Sequence, residues 1–146
     1  MDKQIRIDRA LNQFIDELRD KLGKNFVSAV LFGSSAREDW DESSDLDLLI
    51  IVEKYDEIES ILIDICVAII LDYGVSIAPI IWDVEDLNAN ITYNSPLFLT
   101  LLLGYNIWYD KNTFFRNKIR EIKKKDIPEF TFVGRHKEWR SSEISL

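Results

Sequence analysis

The sequence predicts an α/β or α+β domain built around a small sheet. Apolar runs with strand character alternate with segments whose apolar residues recur at helical spacing, which is typical of a sheet flanked by helices. The chain has 146 residues, which suits one compact domain, and its hydrophobic content of 47% is enough to build a core. These observations exclude an intrinsically disordered chain.

The first predicted elements are a helix and two strands. An amphipathic helix ends at Gly23, and its apolar face consists of Ile7, Leu11, Phe14, Ile15, Leu18 and Leu22. We expect a strand over Asn25–Phe32 that stops at Gly33. A second strand over Leu46–Val52 begins directly after Asp45.

The middle of the chain predicts a second helix and a third strand. Tyr55–Asp72 is apolar on several sides, so we expect this helix to be sandwiched. Val75–Trp82 predicts a strand in which Pro79 indicates a sheet edge or a bulge. We expect residues 83–95 to form a loop, with or without a helical turn. The later predictions are a short helix, a short strand and a basic helix, over Pro96–Leu103, Asn106–Tyr109 and Thr113–Lys125.

Charge is distributed unevenly along the chain, whose formal net charge is −8. Residues 1–110 carry 8 Lys and Arg against 21 Asp and Glu, whereas residues 111–146 carry 10 against 5. This balance argues against direct nucleic-acid binding and against attraction to an anionic membrane. Two interpretations stay open: a solvated acidic body with a basic surface helix, or acids gathered around a bound cation.

The expected location is the cytoplasm. The single cysteine, Cys66, cannot form an intramolecular disulfide, and we expect it to be a buried, inert thiol. The N-terminus is too polar for a signal peptide, and no apolar stretch is long enough to cross a bilayer. We therefore expect a soluble protein with no membrane partner.

The most informative segment joins the first two predicted strands. Gly33 and Ser34 follow the first strand, and ten residues later Asp45 and Asp47 enter the second. Residues two apart in a strand point to the same face, so these carboxylates project side by side. They repel each other unless a cation or a proton lies between them, and a hard divalent ion such as Mg²⁺ suits the pair.

The Gly-Ser pair suits a phosphate group. Gly33 permits a tight turn and close approach of a ligand to the backbone, while Ser34 offers a hydroxyl donor. Phosphate held here and bridged through metal to Asp45 and Asp47 is the arrangement that nucleotidyl transfer requires. Taken alone, the Gly-Ser pair is also explained by an ordinary turn, and the Asp-x-Asp pair by chance. An unpaired carboxylate at Asp47, inside an apolar run, would however be costly.

The tract Gly33–Leu49 resembles the signature of the DNA polymerase β-like nucleotidyltransferase superfamily. The resemblance is closest to the minimal nucleotidyltransferases, partners of HEPN toxins, which show Gly-Ser, ten residues and Asp-x-Asp. These also frequently carry Ala-Arg soon after the serine, as Ala36 and Arg37 do here. The resemblance implies a small mixed sheet flanked by helices. It places the nucleotidyltransferase domain at residues 1–110, with 111–146 as a basic C-terminal helix and tail packed on that domain.

The resemblance also implies an activity and its residues. Gly33, Ser34 and Arg37 would bind the nucleotide, and Asp45 and Asp47 would be the catalytic and metal-binding residues. The cofactor would be Mg²⁺ or Mn²⁺, and a nucleoside monophosphate would pass from a nucleoside triphosphate to an acceptor hydroxyl. The implied partner is a HEPN-like helical protein, which could also carry the acceptor. Homo-oligomerisation stays open.

The sequence departs from the family pattern in two places, and the missing third carboxylate favours an alternative function. Glu38 stands where the family often has glycine, and no third carboxylate is found in the next strand. Ser76 and Ala78 occupy the inward positions there, and Asp83 has the opposite side-chain parity unless Pro79 forms a bulge. The alternative is a catalytically inactive module that binds a nucleotide or a toxin. A plain interaction domain with an incidental acidic loop is a third hypothesis.

Overall fold

The computed structural model describes residues 2–33 and 44–122 with their side chains, and the backbone of 130–133 and 138–141. The chain divides into two compact units, Met1–Asn112 and Thr113–Leu146. The helices and strands of the first unit are α1 (Lys3–Leu22), β1 (Phe26–Phe32), β2 (Leu46–Val52), α2 (Glu59–Tyr73), β3 (Ile77–Asp83), α3 (Val84–Thr92), α4 (Pro96–Leu102) and β4 (Tyr105–Asp110). The second unit contains α5 (Phe114–Ile122), β5 (Phe130–Val133) and β6 (Glu138–Ser141).

The first helix follows directly from its sequence. The side chain of Asp2 accepts a hydrogen bond from the Gln4 amide at 3.0 Å and caps the start of α1. The helix ends at Gly23, which has φ +54°. Its apolar face is buried, which confirms the amphipathic helix predicted there.

Four strands of the first unit form one mixed sheet, in the order β3-β2-β1-β4. β1 runs antiparallel to both β2 and β4, and β2 runs parallel to β3. β3 lies at the edge, as Pro79 predicted. The β2–β3 register continues from Leu46 opposite Ile77 to Val52 opposite Asp83, so Pro79 forms no bulge there.

The alternation of side chains along β2 separates two faces of the sheet. Leu46, Leu48, Ile50 and Val52 lie in one hydrophobic cluster with residues of α1 and α2. Asp47 and its neighbours two and four positions on therefore face the other side of the sheet. Asp47 therefore lies on the face of the sheet opposite the core that α1 and α2 cover.

Two predictions about the middle of the chain are wrong. Residues 83–95, expected to be a loop, contain α3, because Asp83 and Asp86 form a reciprocal capping box at its start. Helix α2 begins at Glu59, and it is not sandwiched: among its described residues, Ile63 is 62% exposed and Leu71 is 79% exposed. Because the second helix has apolar residues on several of its sides, the sequence predicted burial between two layers. In the structure, one apolar face of α2 is exposed to solvent.

The second unit contains more regular structure than its sequence signals indicated. Helix α5 ends, as described, at Ile122, and β5 pairs antiparallel with β6 in a separate two-stranded sheet. The division of the chain into a domain at 1–110 and a tail at 111–146 packed on it stays a prediction. In the part of the chain that the structure describes, no helix has the length and apolar character needed to span a bilayer.

Candidate functional site

The candidate site lies where β1 ends and β2 begins. Phe32, the last residue of β1, pairs with Asp47, and Gly33 follows with φ +79°. A φ in this region is readily adopted by glycine and is strained for residues with a Cβ. The turn at Gly33 thus directs the chain out of the sheet next to the start of β2.

Gly33 also leaves room for a carboxylate. A Cβ added at Gly33 would lie 2.5 Å from Oδ2 and 3.4 Å from Cγ of Asp47. The 2.5 Å distance is incompatible with a real Cβ unless Asp47 moves, whereas 3.4 Å is ordinary van der Waals contact. The half-buried Asp47 carboxylate therefore lies directly against the backbone of the buried Gly33, which brings two of the predicted site residues together.

Asp45 directly precedes β2 and is exposed. The next residue, Leu46, donates its amide to the carbonyl of Ser76 at 2.8 Å, which ties the start of β2 to the segment before β3. Because side chains alternate along extended backbone, we expect Asp45 and Asp47 to project on the same side. Ser34 and Arg37, the other predicted nucleotide-binding residues, lie outside the described residues.

A row of residues crosses the sheet at the level of Asp47. Asp47 pairs with Ala78 on β3 and with Phe32 on β1, and Phe32 pairs in turn with Tyr105 on β4. Directly opposed residues of neighbouring strands carry their side chains on the same face. The half-buried Tyr105 therefore shares the face of Asp47, two strands away at about 10 Å by the usual strand spacing. Sequence reasoning did not single out Tyr105, because only the strand pairing places it there.

The neighbouring strand supplies no third carboxylate at this level. Ala78 occupies the position beside Asp47, and Asp83 lies opposite Val52, five residues along β3, which corresponds to about 16 Å. Asp83 is moreover engaged in the capping box, where its Oδ1 accepts from the Asp86 amide at 2.7 Å. Across the described ranges, no group of three or more His, Cys, Asp or Glu side chains is arranged to hold a metal ion.

Another carboxylate of the sheet lies at its opposite end. Asp110, the last residue of β4, pairs with Ser28 and accepts a hydrogen bond from its hydroxyl at 2.7 Å. Ser28 is fully buried and lies four residues before the end of β1. At the Gly33 end of the sheet, the described residues therefore offer the carboxylates of Asp45 and Asp47 beside the Gly33 turn.

The family model of the nucleotidyltransferase domain matches residues 11–131. The chain belongs to this family. Two proteins of Methanocaldococcus jannaschii, each named a putative protein adenylyltransferase, are similar to it. One, MJ1305, is 32% identical over 99% of both chains, and the other, MJ0604, is 34% identical over 60% of this chain and 84% of its own. The resemblance drawn from Gly33–Leu49 is thus confirmed.

Solved structures show the same fold. A toxin–antitoxin structure with AMP-PNP gives a TM-score of 0.54 at 14% identity, over 77% of this chain and 83% of the other. A mutant MntA–HpeT toxin–antitoxin structure gives a TM-score of 0.53 at 14% identity, with the same coverage. These neighbours confirm the predicted α/β nucleotidyltransferase fold with a mixed sheet.

Proposed function

We propose that this nucleotidyltransferase moves a nucleoside monophosphate from a nucleoside triphosphate to a hydroxyl group of an acceptor, in a reaction that depends on Mg²⁺ or Mn²⁺. The observation that carries the proposal is the Asp47 carboxylate held against the Gly33 backbone in a chain of this family. The acceptor oxygen forms a bond to the α-phosphorus, pyrophosphate leaves with the electron pair of the broken P–O bond, and the hydroxyl proton passes to solvent.

The donor atoms at the site fit a hard divalent cation. Asp45 and Asp47 offer carboxylate oxygens, which such ions prefer, and Gly33 lacks the Cβ that would collide with the Asp47 carboxylate. We assign the metal to these two residues and the phosphates to Gly33, Ser34 and Arg37. When bound, the cation would orient the triphosphate and offset the charge that develops on it. The protein's part is to hold Asp47 on β2, and Asp45 directly before that strand, beside the turn.

We further propose that the nucleotide is ATP and that the acceptor is a protein. The two relatives from M. jannaschii are named as protein adenylyltransferases, which supports both assignments. The fold neighbours come from toxin–antitoxin complexes, which supports an antitoxin-type role with a HEPN-like helical partner as the acceptor.

A second candidate function is nucleotide or toxin binding without catalysis. The observation that favours it is Ala78 beside Asp47, where a third carboxylate would complete a site for two metal ions. Such a module would bind ATP with Mg²⁺ and would leave it intact. Both functions use the same residues for binding, so only turnover distinguishes them.

The test compares α-labelled with γ-labelled ATP in the presence of Mg²⁺ and a cell extract as the source of acceptor protein. Nucleotidyl transfer labels an acceptor from the α-position only, and Asp47→Asn abolishes the labelling. The matched control is Asp64→Asn, which changes an exposed carboxylate on α2 and leaves the labelling intact. Labelling that persists in Asp47→Asn contradicts the assigned site. ATP binding in a calorimeter without any labelling establishes the second function instead.

A further inference from the structure

An apolar groove lies between α2 and the edge strand β3, on the sheet face that α1 and α2 cover. Its volume is about 420 Å³. The apolar side chains that form its walls are Ile63, Val67 and Ile70 on α2 and Ile77, Pro79 and Ile81 on β3. We call it the α2–β3 groove. Residues 48, 50 and 52 of β2 share its face, whereas Asp47 faces the other side, so the groove is separate from the candidate catalytic site.

The helical wall of the groove is exposed to an unusual degree for such side chains. Ile63 is 62% exposed, Val67 is 49% exposed and Ile70 is 46% exposed. These residues recur at spacings of three and four, so they form one stripe along α2. A contiguous stripe of large apolar side chains on a protein surface marks a site of interaction. The stripe and groove together provide the apolar surface that a binding partner would cover.

The charged residues of α2 and of the groove lining are all acidic, and the nearest cation along the chain is the exposed Lys54, directly before the lining residue Tyr55. Glu59 is the only charged residue among the described ones that line the groove, and Asp64 and Asp72 are exposed on the same helix. The segment from residue 55 to 110 contains nine Asp and Glu and no Lys or Arg. A second copy of this chain would bring the same acids against these, and an anionic lipid surface would also be repelled. The charge therefore favours a partner with a basic rim.

The geometry of the groove favours a helix over an added strand. Pro79 lies in the open edge strand and has no N–H to donate to a further strand. The α2 wall from Glu59 to Ile70 spans about 17 Å at helical rise, which matches about three turns of a second helix laid beside it. A helix in a groove places residues at spacings of three and four against the apolar wall.

We propose that the α2–β3 groove binds a cationic amphipathic helix of a partner protein. The apolar face of that helix covers Ile63, Val67 and Ile70, and a Lys or Arg beside this face pairs with Glu59. The inference does not rest on nucleotidyl transfer, because it uses the opposite face of the sheet. Failure of the proposed catalytic function would leave it intact.

Cys66 provides a reporter in the unmodified protein. The prediction of a buried, inert thiol is wrong, because Cys66 is half-buried and lines the groove. Since it is the single cysteine of the chain, alkylation of the chain's thiol reports on access to the groove. The probe is a 14-residue peptide of Leu and Lys, with Leu at helical spacing, and the control peptide carries Glu in place of Lys. We expect saturating Leu-Lys peptide to slow the alkylation of Cys66 at least fivefold, and the Leu-Glu peptide to leave the rate unchanged.

Variants on α2 localise the binding. Val67→Ser should weaken binding of the fluorescent Leu-Lys peptide about tenfold, and Glu59→Gln should weaken it several-fold. Leu71→Ser is the matched control, because Leu71 is 79% exposed on the same helix and does not line the groove. It should change the affinity less than twofold.

Three outcomes would overturn the proposal. Unchanged Cys66 alkylation at saturating Leu-Lys peptide shows that the groove is not the binding site. Equal losses for Leu71→Ser and Val67→Ser show that the peptide covers the exposed apolar residues of α2 in general and does not bind in the groove. Protection of Cys66 that rises with protein concentration in the absence of peptide, with a dimer in light scattering, assigns the groove to a second copy of the chain.

Discussion

Replacement of Gly33 by alanine tests the contact on which the candidate site depends. Two costs apply to Gly33→Ala. A residue with a Cβ at φ +79° is destabilised by about 1–2 kcal/mol. The Cβ would also lie 2.5 Å from Oδ2 of Asp47, and pushing that side chain off its rotamer costs about 0.5–1.5 kcal/mol more. We expect the free energy of unfolding to fall by about 1.5–3.5 kcal/mol and the affinity for ATP to fall with it.

Gly74→Ala separates the two costs. Gly74 has φ +66°, but a Cβ there would meet no atom within 4 Å, so this variant carries the backbone cost alone. Urea denaturation of both variants should show Gly33→Ala to be about 1 kcal/mol less stable than Gly74→Ala. In an Asp47→Ala background, where the carboxylate is absent, this difference should disappear. Equal losses for the two single variants in the native background would refute the close approach of Asp47 to Gly33.

Three further predictions concern the rest of the first unit. Asp83→Ala removes the cap of α3 and should lower the free energy of unfolding by about 1 kcal/mol in urea denaturation, whereas Asp64→Ala, exposed on α2, should change it little. Burial raises the pKa of the Cys66 thiol, so its alkylation should reach half-maximal rate at a higher pH in the native chain than in urea. The hydrogen bond from the Tyr55 hydroxyl, 2.6 Å from Oε1 of Glu59, lowers the pKa of that carboxyl, so Tyr55→Phe should raise it in a carboxyl NMR titration. The same Glu59 pKa in the native protein and in Tyr55→Phe would contradict the hydrogen bond between Tyr55 and Glu59.

Local signals predicted most of the sheet and helices because they act over a few residues. The apolar spacing of α1 and the stop at Gly23 set that helix without reference to the rest of the chain. The apolar run of β2 likewise predicted its bounds, Leu46–Val52, as observed. The ten-residue spacing between the Gly-Ser and Asp-x-Asp motifs predicted that Gly33 and Asp47 lie in the same site. In the structure, Phe32 pairs with Asp47, and this pairing places the next residue, Gly33, against the Asp47 carboxylate.

One local feature and two that depend on tertiary packing escaped prediction. The local one is Asp83: the apolar pattern places it just after a strand, and its reciprocal hydrogen bonds with Asp86 show that it also begins α3. The apolar residues of α2 indicated two buried faces, yet nothing local distinguishes a helix between two layers from one with an open face such as that of Ile63. Tyr105 lies in the same row as Asp47 because it pairs with Phe32, a residue more than seventy positions earlier in the chain.

The most direct test of the central claim is a crystal of this chain soaked with Mn²⁺ and AMP-PNP, with anomalous data collected at the manganese edge. We expect an anomalous peak at about 2.2 Å from carboxylate oxygens of both Asp45 and Asp47, with phosphate oxygens of the nucleotide on the same ion and against the Gly33 backbone. A nucleotide bound elsewhere, or manganese that touches neither aspartate, would contradict the assignment of this turn as the nucleotidyl-transfer site.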